Sequence, residues 1–465
     1  MKSVNDANLQ QGLSCRSISR RQFLTAITAT TAGAVLAAPN SAAPQAQPQA
    51  QLGYDPTKEV TIHGLVVDSF TRMWQEILVP EFNKAFPKIK VVIDPVPYPD
   101  MLTKSMLELT KKPLAYDFLI IDDPWIPTLA DSGLLTSLKD EFKSVTKPDY
   151  DWEDFHPAPL AAGYWKGAQY GVPVSCNELL MFYNKALFKK AGVPVPVPTW
   201  TWADFEKAAQ ALVKAGQVAF DTNFKRHVLT PTVWQAIMNS MGGRLLDDNM
   251  KPVFNDKTGV DALESHIRFA NYGPPGCKTH YYQEINEGFR QGQVAMIWQW
   301  GSVYFSVAID PKSTTLKSGD AGIWTLPRGT AGPAAHRGIW SFGIPKNTPN
   351  KMAAWQYVQW ATSKQGEKFN AAKVGALPAR KSTLTAQQSD QWIAEEFKAV
   401  LAGFEAISLT KAWRPRMPDE DALQEILAVH HSRAVSGQVS AKQALDDAAK
   451  EVADMMEEKG YYKKS

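Results

Sequence analysis

This chain is poor in cysteine and lacks the common catalytic motifs. It holds three cysteines in 465 residues, and no spacing of cysteine and histidine resembles a zinc site. The nucleotide-binding patterns G-x-G-x-x-G and G-x-x-x-x-G-K-[ST] are missing, as is the zinc-hydrolase pattern H-E-x-x-H. Ser341 stands one position too far from Gly338 for a nucleophile elbow. We therefore expect no metal, no cofactor and no enzymatic activity.

An excess of one charge is also missing from most of the chain. The formal net charge is +3, and residues 1–50 account for all of it through Lys2, Arg16, Arg20 and Arg21 against Asp6. Positive and negative charges balance in the remaining residues. The sequence therefore predicts no basic surface for nucleic acid.

The N-terminus is predicted to be a targeting segment. The sequence Ser-Arg-Arg-Gln-Phe-Leu at 19–24 precedes a mildly apolar run at 25–38. Paired arginines before such a run are typical of a twin-arginine export signal, and the run is too short and too weakly hydrophobic for a permanent membrane span. A disordered basic tail is the alternative. We expect residues 1–50 to be a signal peptide and linker, in which residues 37–50 offer several cleavage points. We expect the mature protein to be periplasmic.

The length of the chain suits two domains rather than one small core. Its first third alternates strand and helix patterns, with strands at 59–67, 89–96 and 116–121 and helices at 70–86 and 99–109. This order predicts a doubly wound α/β sheet. Asp122, Asp123 and Trp125 come just past the third strand, which is where such sheets bind ligands.

Residues 163–205 are the most informative stretch. A short strand pattern at 171–175 and an apolar strand pattern at 179–183 are separated by polar residues. A helix is predicted to start after Thr201, which forms a capping-box-like pattern with Asp204. The stretch is therefore expected to join two α/β segments.

The same stretch resembles the crossover block of solute-binding proteins of ABC importers, the extracellular family 1 that binds sugars. That block reads G-x-x-Y-G-x-P, then an apolar strand ending in Y-N-K, then P-x-T-W and a helix. Residues 289–300, 338–344 and 375–380 resemble later blocks of the family in the same order. The resemblance covers roughly residues 55–460, and several independent motifs carry it.

The resemblance implies an α/β, two-lobed periplasmic-binding-protein fold of type II with three interlobe crossovers. It assigns residues 55–171 plus 341–376 to the N-lobe and residues 172–340 plus 377–465 to the C-lobe. The implied function is a monomeric periplasmic receptor that captures a sugar or polyol between its lobes. The implied partner is an ABC permease of the inner membrane, which would recognise the closed form.

Flat rings and polar side chains are the expected lining of a sugar site, because a sugar has apolar C–H faces and a rim of hydroxyls. Nine candidates lie at strand ends, in crossovers or where the family places a late aromatic: Phe70, Asp123, Trp125, Asn177, Trp298, Trp300, Trp340, Trp413 and Arg414. Core packing is the alternative for each of these tryptophans, and a turn role is the alternative for Asn177. Core packing is the first expectation for four tryptophans on helix faces: Trp74, Trp202, Trp355 and Trp360.

Three other functions stay open. Arg414 together with Arg416 suits an anionic sugar derivative, such as a sugar phosphate or uronate. Asp123 with a second acid suits a secreted carbohydrate hydrolase, although neighbouring Asp122 and Asp123 are expected to point apart. A structural surface protein would bind no ligand.

For several polar residues we expect a structural role in the first place. Arg380 is expected to form a salt bridge, with a contact to ligand as the alternative. His430 and His431 are expected on a solvated helix face. Cys176 and Cys277 could pair in an exported protein, and two buried free thiols are the alternative.

Overall fold

The computed structural model describes residues 57–462 except residues 71, 387, 389 and 411–413. The predicted export signal and linker in residues 1–50 lie outside the described residues, and so does Trp413. Across the described residues, no helix is both long and apolar enough to cross a lipid bilayer.

The described part of the chain contains ten strands. They are β1 Val60–Val67, β2 Ile89–Val96, β3 Phe118–Asp122, β4 Tyr164–Trp165, β5 Ala168–Gln169, β6 Val172–Asn184, β7 Val218–Asp221, β8 Val294–Trp300, β9 Ala321–Trp324 and β10 Arg337–Gly343.

Sixteen α-helices are assigned among the same residues. They are α1 Val79–Ala85, α2 Tyr98–Thr110, α3 Trp125–Asp131, α4 Leu138–Glu141, α5 Pro157–Ala162, α6 Lys185–Ala191, α7 Trp202–Lys214, α8 Thr230–Ser240, α9 Lys257–Phe269, α10 Tyr282–Arg290, α11 Lys351–Ala361, α12 Lys364–Val374, α13 Lys381–Leu384, α14 Gln391–Thr410, α15 Glu420–Val435 and α16 Ala441–Glu458.

A continuous path of strands runs through both lobes in the order β2-β1-β3-β10-β6-β8-β7, and β9 also pairs with β6. The β1–β2, β1–β3 and β7–β8 pairs are parallel, whereas β10 and β6 are antiparallel to their neighbours. Every residue of β3 is buried, as expected for a strand covered on both faces. The predicted β-α-β-α-β start is confirmed.

The lobes are joined through β6, which is one strand rather than the two predicted. It pairs with β10 as far as Glu178 and with β8 from Leu179 onward. The polar residues between the two predicted strands stay in the ladder because β10 supplies their hydrogen-bond partners. β10 is the second crossing, since it pairs with both β3 and β6. A third passes at Leu377, whose carbonyl accepts from Cys176 N at 3.0 Å.

The ends of two predicted helices follow from local chemistry. The Thr201 hydroxyl accepts from Asp204 N at 3.2 Å, and the Asp204 carboxylate accepts from Thr201 N at 2.9 Å, so the predicted capping box is present. The helix predicted at 70–86 is divided into a π-helical segment, Arg72–Leu78, and α1. Pro80 stands in the first turn of α1, where its missing N–H costs no helical hydrogen bond.

Two hydrophobic cores stabilise the lobes. The larger core includes Trp74 and Trp355, both fully buried, with Trp360 packed against it. The second is built on β7, β8 and the helices around them, with Trp202 packed at its edge. Core packing is therefore confirmed for all four tryptophans predicted to have that role.

The structure corrects the expectation for the two adjacent histidines and describes the two cysteines. His430 and His431 are buried rather than solvated, because α15 is covered by α9 and α16. His431 Nε2 lies 3.1 Å from Nδ1 of the buried His266. Cys176 and Cys277 are both buried and free.

A carboxyl group is buried at the point where β6 passes between the lobes. Glu178 is fully buried, and neither of its carboxylate oxygens has a hydrogen-bond partner among the residues that the structure describes. Helix α14 packs directly against it, since a Cβ at Gly403 would lie 1.9 Å from Glu178 Oε2. Burial raises the pKa of Glu178 well above its usual range, and Arg337 only partly opposes this.

We predict that Glu178→Gln stabilises the protein increasingly as pH rises. Because the pKa of Glu178 is higher in the folded than in the unfolded state, the free energy of unfolding of the wild type falls as pH rises above the unfolded pKa. Glutamine stays neutral, so the variant does not have this loss. The free energy of unfolding in urea, compared at pH 5 and pH 8, should show a gap between variant and wild type that widens with pH. The exposed Glu153→Gln is the matched control. A gap of equal size at both pH values would contradict the prediction.

Candidate ligand-binding cleft

A cleft of about 470 Å³ opens at the carboxyl ends of strands from both lobes. This volume lies toward the lower end of the roughly 300–1,000 Å³ that is typical of small-molecule sites. Loops that follow parallel strands meet at one edge of a sheet, which explains why residues distant in sequence converge here.

The first lobe lines the cleft from the ends of three parallel strands, and the crossing strand β10 lines it beside them. Phe70 follows β1, Tyr98 begins α2 just after β2, and Asp122 is the last residue of β3. The Trp340 ring on β10 lies edge-to-face against Phe70, with centroids 5.5 Å apart, and against Tyr98 at 5.9 Å. These rings therefore form one interlocked wall.

The second lobe contributes the end of β8 and two loops. Trp300 is the last residue of β8, and His227 lies between β7 and α8. Tyr281 and Tyr282 line the cleft at the start of α10. The opposing wall is therefore also aromatic.

The floor of the cleft is formed by the crossing strands. Ser175 and Asn177 on β6 and Gly338 on β10 all line it. Asn177 Oδ1 accepts from Ser302 N at 3.0 Å, which fixes the side-chain amide. A Cβ at Gly338 would lie 2.8 Å from the Trp300 ring, so only glycine lets the indole lie this close to the strand.

Two carboxylates and two guanidinium groups form a buried cluster beside the cleft. Arg414 Nη2 donates to both oxygens of Asp122, at 3.1 Å each, and to Asp123 Oδ1 at 2.9 Å. Arg337 Nε donates to Asp123 Oδ2 at 3.0 Å, and Tyr98 donates its hydroxyl to Asp122 at 3.0 Å. The two positive and two negative charges balance when both acids are ionised. The buried Glu420, whose Oε1 lies 4.0 Å from Arg414 Nε, adds no full negative charge at neutral pH because burial raises its pKa to about 8.

The two acids of this cluster respond differently to burial. Burial raises the pKa of Asp122, with the Arg414 charge opposing and the Asp123 charge reinforcing the shift. Burial acts in the same way on Asp123, but Arg337 and Arg414 together outweigh it and hold its pKa below the usual range. Asp123 is therefore the more firmly ionised member of the pair.

The family model of bacterial extracellular solute-binding proteins matches residues 68–368. The chain belongs to this family. A probable amino-acid ABC transporter periplasmic-binding protein of Sinorhizobium fredii is 25% identical over 372 residues, which cover 79% of this chain and 82% of that protein. A mannitol-binding protein of Pseudomonas aeruginosa is 26% identical over 338 residues, which cover 68% of this chain and 76% of that protein.

A solved structure has the same fold. An ABC transporter solute-binding protein from Agrobacterium radiobacter, solved in complex with ribitol, superposes with a TM-score of 0.74 and 28% identity. The match covers 86% of this chain and all of that one. The two-lobed α/β fold predicted from the sequence is therefore confirmed, whereas the exact lobe boundaries stay a prediction.

Five of the nine predicted site residues line the cleft of this family member, and three others do not. The five are Phe70, Asn177, Trp300, Trp340 and Arg414. Trp298 is fully buried in the second core, 4.5 Å from the Phe220 ring centroid, so it does not face the cleft. Asp123 and Trp125 are buried one layer behind the cleft wall. Trp413 lies outside the described residues.

The positions of Asp123 and Trp125 have a physical explanation. Neighbouring residues at a strand end point in different directions, and here Asp122 rather than Asp123 reaches the cleft. Trp125 begins α3 and packs edge-to-face under Trp340, with centroids 5.8 Å apart. Both residues support the wall instead of forming its surface.

Several lining residues were not predicted. Tyr98 lies at a strand end, so the rule that pointed to Phe70 could have found it. The same rule indicated Asp122 and Asp123 together, and Asp123 was the candidate chosen. His227 and Tyr281 lie in loops of the second lobe that carry no motif, and only the fold brings them to the cleft.

The other two candidate arginines have structural partners. Arg380 is fully buried, donates to the Thr362 and Asp151 carbonyls, and pairs with Asp154 at 3.5 Å, as its first expectation held. Arg416 donates to two backbone carbonyls in the segment that contains β4, one of them that of Ala162 at 2.6 Å.

We predict that Asp123→Asn destabilises the protein by about 3–5 kcal/mol, because it leaves buried arginine charge without its carboxylate. Asp131→Asn is the matched control, since it breaks a partly exposed pair with Lys166 that should contribute about 1 kcal/mol or less. Urea unfolding at pH 7 measures both values. Equal, small losses would show that the buried cluster is not needed for stability.

Proposed function

We propose that this protein is an exported receptor that captures a neutral polyol or small sugar in the cleft and delivers it to an ABC permease. The observation that carries the proposal is the composition of the cleft, in which aromatic rings of both lobes face each other beside a charge-balanced cluster. A ligand that touches both lobes would favour the closed form.

The aromatic walls suit a ligand with C–H faces. Phe70 of the first lobe packs against Trp340 on the crossing strand β10, and Trp300 and Tyr281 belong to the second lobe. Rings provide large apolar contact at low entropic cost, and the polar groups between them can bind hydroxyls. Ser175 and Asn177 on the floor provide such groups.

The charge balance favours a neutral ligand over an anion. Arg414 already binds Asp122 and Asp123, and Arg416 is bound to backbone carbonyls. An anionic sugar derivative would therefore have to compete with the carboxylates of Asp122 and Asp123 for the Arg414 guanidinium. Mannitol and ribitol, which the names of two similar proteins give, are neutral alditols. The name of the Sinorhizobium protein gives amino acids, so amino acids belong in the test.

The cluster gives no support to a hydrolase. Glycoside hydrolysis needs two carboxyl groups that face each other across the scissile bond. Asp122 and Asp123 are neighbours held by the same arginine, and Asp123 lies behind the wall. We therefore propose a receptor without catalytic activity.

The cellular setting is part of the proposal. Family membership implies an extracellular or periplasmic location. The paired arginines before the apolar run at 25–38 support export by the twin-arginine route. A permease partner and a monomeric state are further expectations from the family.

We predict that the protein binds an alditol or monosaccharide and that Trp300→Ala weakens this binding about tenfold. Loss of one stacking ring removes about 1–1.5 kcal/mol of contact, and 1.4 kcal/mol corresponds to tenfold in Kd. A thermal-shift panel of alditols, sugars and amino acids identifies the ligand, and calorimetry gives Kd. Trp165→Ala, outside the cleft, is the control. Saturable binding of an amino acid but no polyol or sugar would overturn the proposal.

We also predict that affinity for the neutral ligand is almost independent of salt. Without a net charge on the ligand, Kd should change less than about twofold between 0.05 and 0.5 M NaCl, because screening acts on charged pairs. A sugar phosphate or uronate of the same carbon skeleton should bind more weakly. Tighter binding of the anion, with a steep loss of affinity in salt, would favour an anionic ligand instead.

A further inference from the structure

The two lobes contact each other across the cleft through a pair of rings. Tyr98 at the start of α2 belongs to the first lobe, and His227 after β7 belongs to the second. Their ring centroids lie 6.5 Å apart with a 38° angle between the planes, and both residues line the cleft. The pair therefore narrows the cleft at one position with two side chains from opposite walls.

Tyr98 is held firmly on its side. Its ring packs against Trp125 at 5.3 Å and against Trp340 at 5.9 Å, and its hydroxyl donates to Asp122 Oδ2 at 3.0 Å. Rotation of the ring away from the cleft would break these contacts together.

His227 is held equally well. Its ring stacks on Tyr281, with centroids 4.3 Å apart, and its Nδ1 accepts from Leu229 N at 3.1 Å. Burial lowers the pKa of His227 to about 4, so the ring is neutral at neutral pH. A neutral ring can remain packed against Tyr98 without carrying a buried charge into the contact.

We propose that Tyr98 and His227 limit the ligand to a single alditol or monosaccharide and exclude chain-extended saccharides. This inference rests on the proposed function, because it specifies the size class of the neutral ligand. Because the neighbours of each ring hold it within its own lobe, a glycosidic extension past this position would have to keep the two lobes further apart than they are here. We expect a ligand of one unit to occupy the cleft without disturbing this ring pair.

The proposal makes Tyr98 and His227 size-selectivity residues, so the informative quantity is a ratio of affinities. Wild-type protein should bind the best of ribitol, mannitol and glucitol at least about 100-fold more tightly than the better of maltose and maltitol. His227→Asn removes the ring but keeps a side-chain acceptor for Leu229 N, as asparagine provides in Asx-turns. It should reduce the ratio at least about tenfold.

A matched control separates loss of the ring from general disturbance. His280→Asn makes the same change at a residue of the same lobe, one that bonds Asp221 and does not line the cleft. It should leave the ratio as in wild type. If His227→Asn does not fold, Tyr98→Leu tests the same contact from the opposite lobe, and circular dichroism verifies folding.

The affinities measured by calorimetry for the wild type and the variants distinguish three outcomes. Wild-type binding of a disaccharide as tight as that of the alditol would overturn the size limit and leave the proposed function standing. An unchanged ratio in folded His227→Asn and Tyr98→Leu would also overturn it. Absence of binding to every polyol and sugar would instead overturn the proposed function, and the size limit with it.

Discussion

The hydrogen-bonded ladder of β6 is the constraint on which both lobes depend. Buried backbone groups must be paired, and β6 is paired with β10 as far as Glu178 and with β8 from Leu179. Two sheet regions, one on each side of the step from Glu178 to Leu179, are thereby fixed to one strand. Ser175 and Asn177 reach the cleft because this ladder forms its floor. The site is therefore a consequence of how the lobes are joined.

The buried ion cluster adds a second constraint at the end of β3. Asp122 and Asp123 repel each other, and they are tolerable side by side because Arg337 and Arg414 come from distant parts of the chain to pair with them. The cluster thereby links β3, β10 and the segment before α15 at the edge of the cleft. The same ion pairs therefore set the electrostatic character of the site and join parts of the fold that are distant in sequence.

Sequence patterns predicted the elements that depend on local chemistry. They did not predict which side chains at a site are buried in a core and which face the cleft. The helix after Thr201 and the crossing at residues 171–183 have local signals. Trp298 and Trp300 share one face of β8, as alternation predicts, yet only the residue at the strand end reaches the cleft. His227 could not be predicted, because its role depends on a ring contributed by the other lobe.

Gly338 has a consequence for how such a receptor can change its solute. The indole of Trp300 rests on a position that has no room for a side chain. A side chain introduced at position 338 would therefore displace the Trp300 ring from the wall of the cleft. Diversification toward new solutes has to proceed through the loops after the strands, where replacements leave the shared ladder intact. The crossing strands would then be the slow-changing part of the site, and the loops would be the part open to selection or engineering.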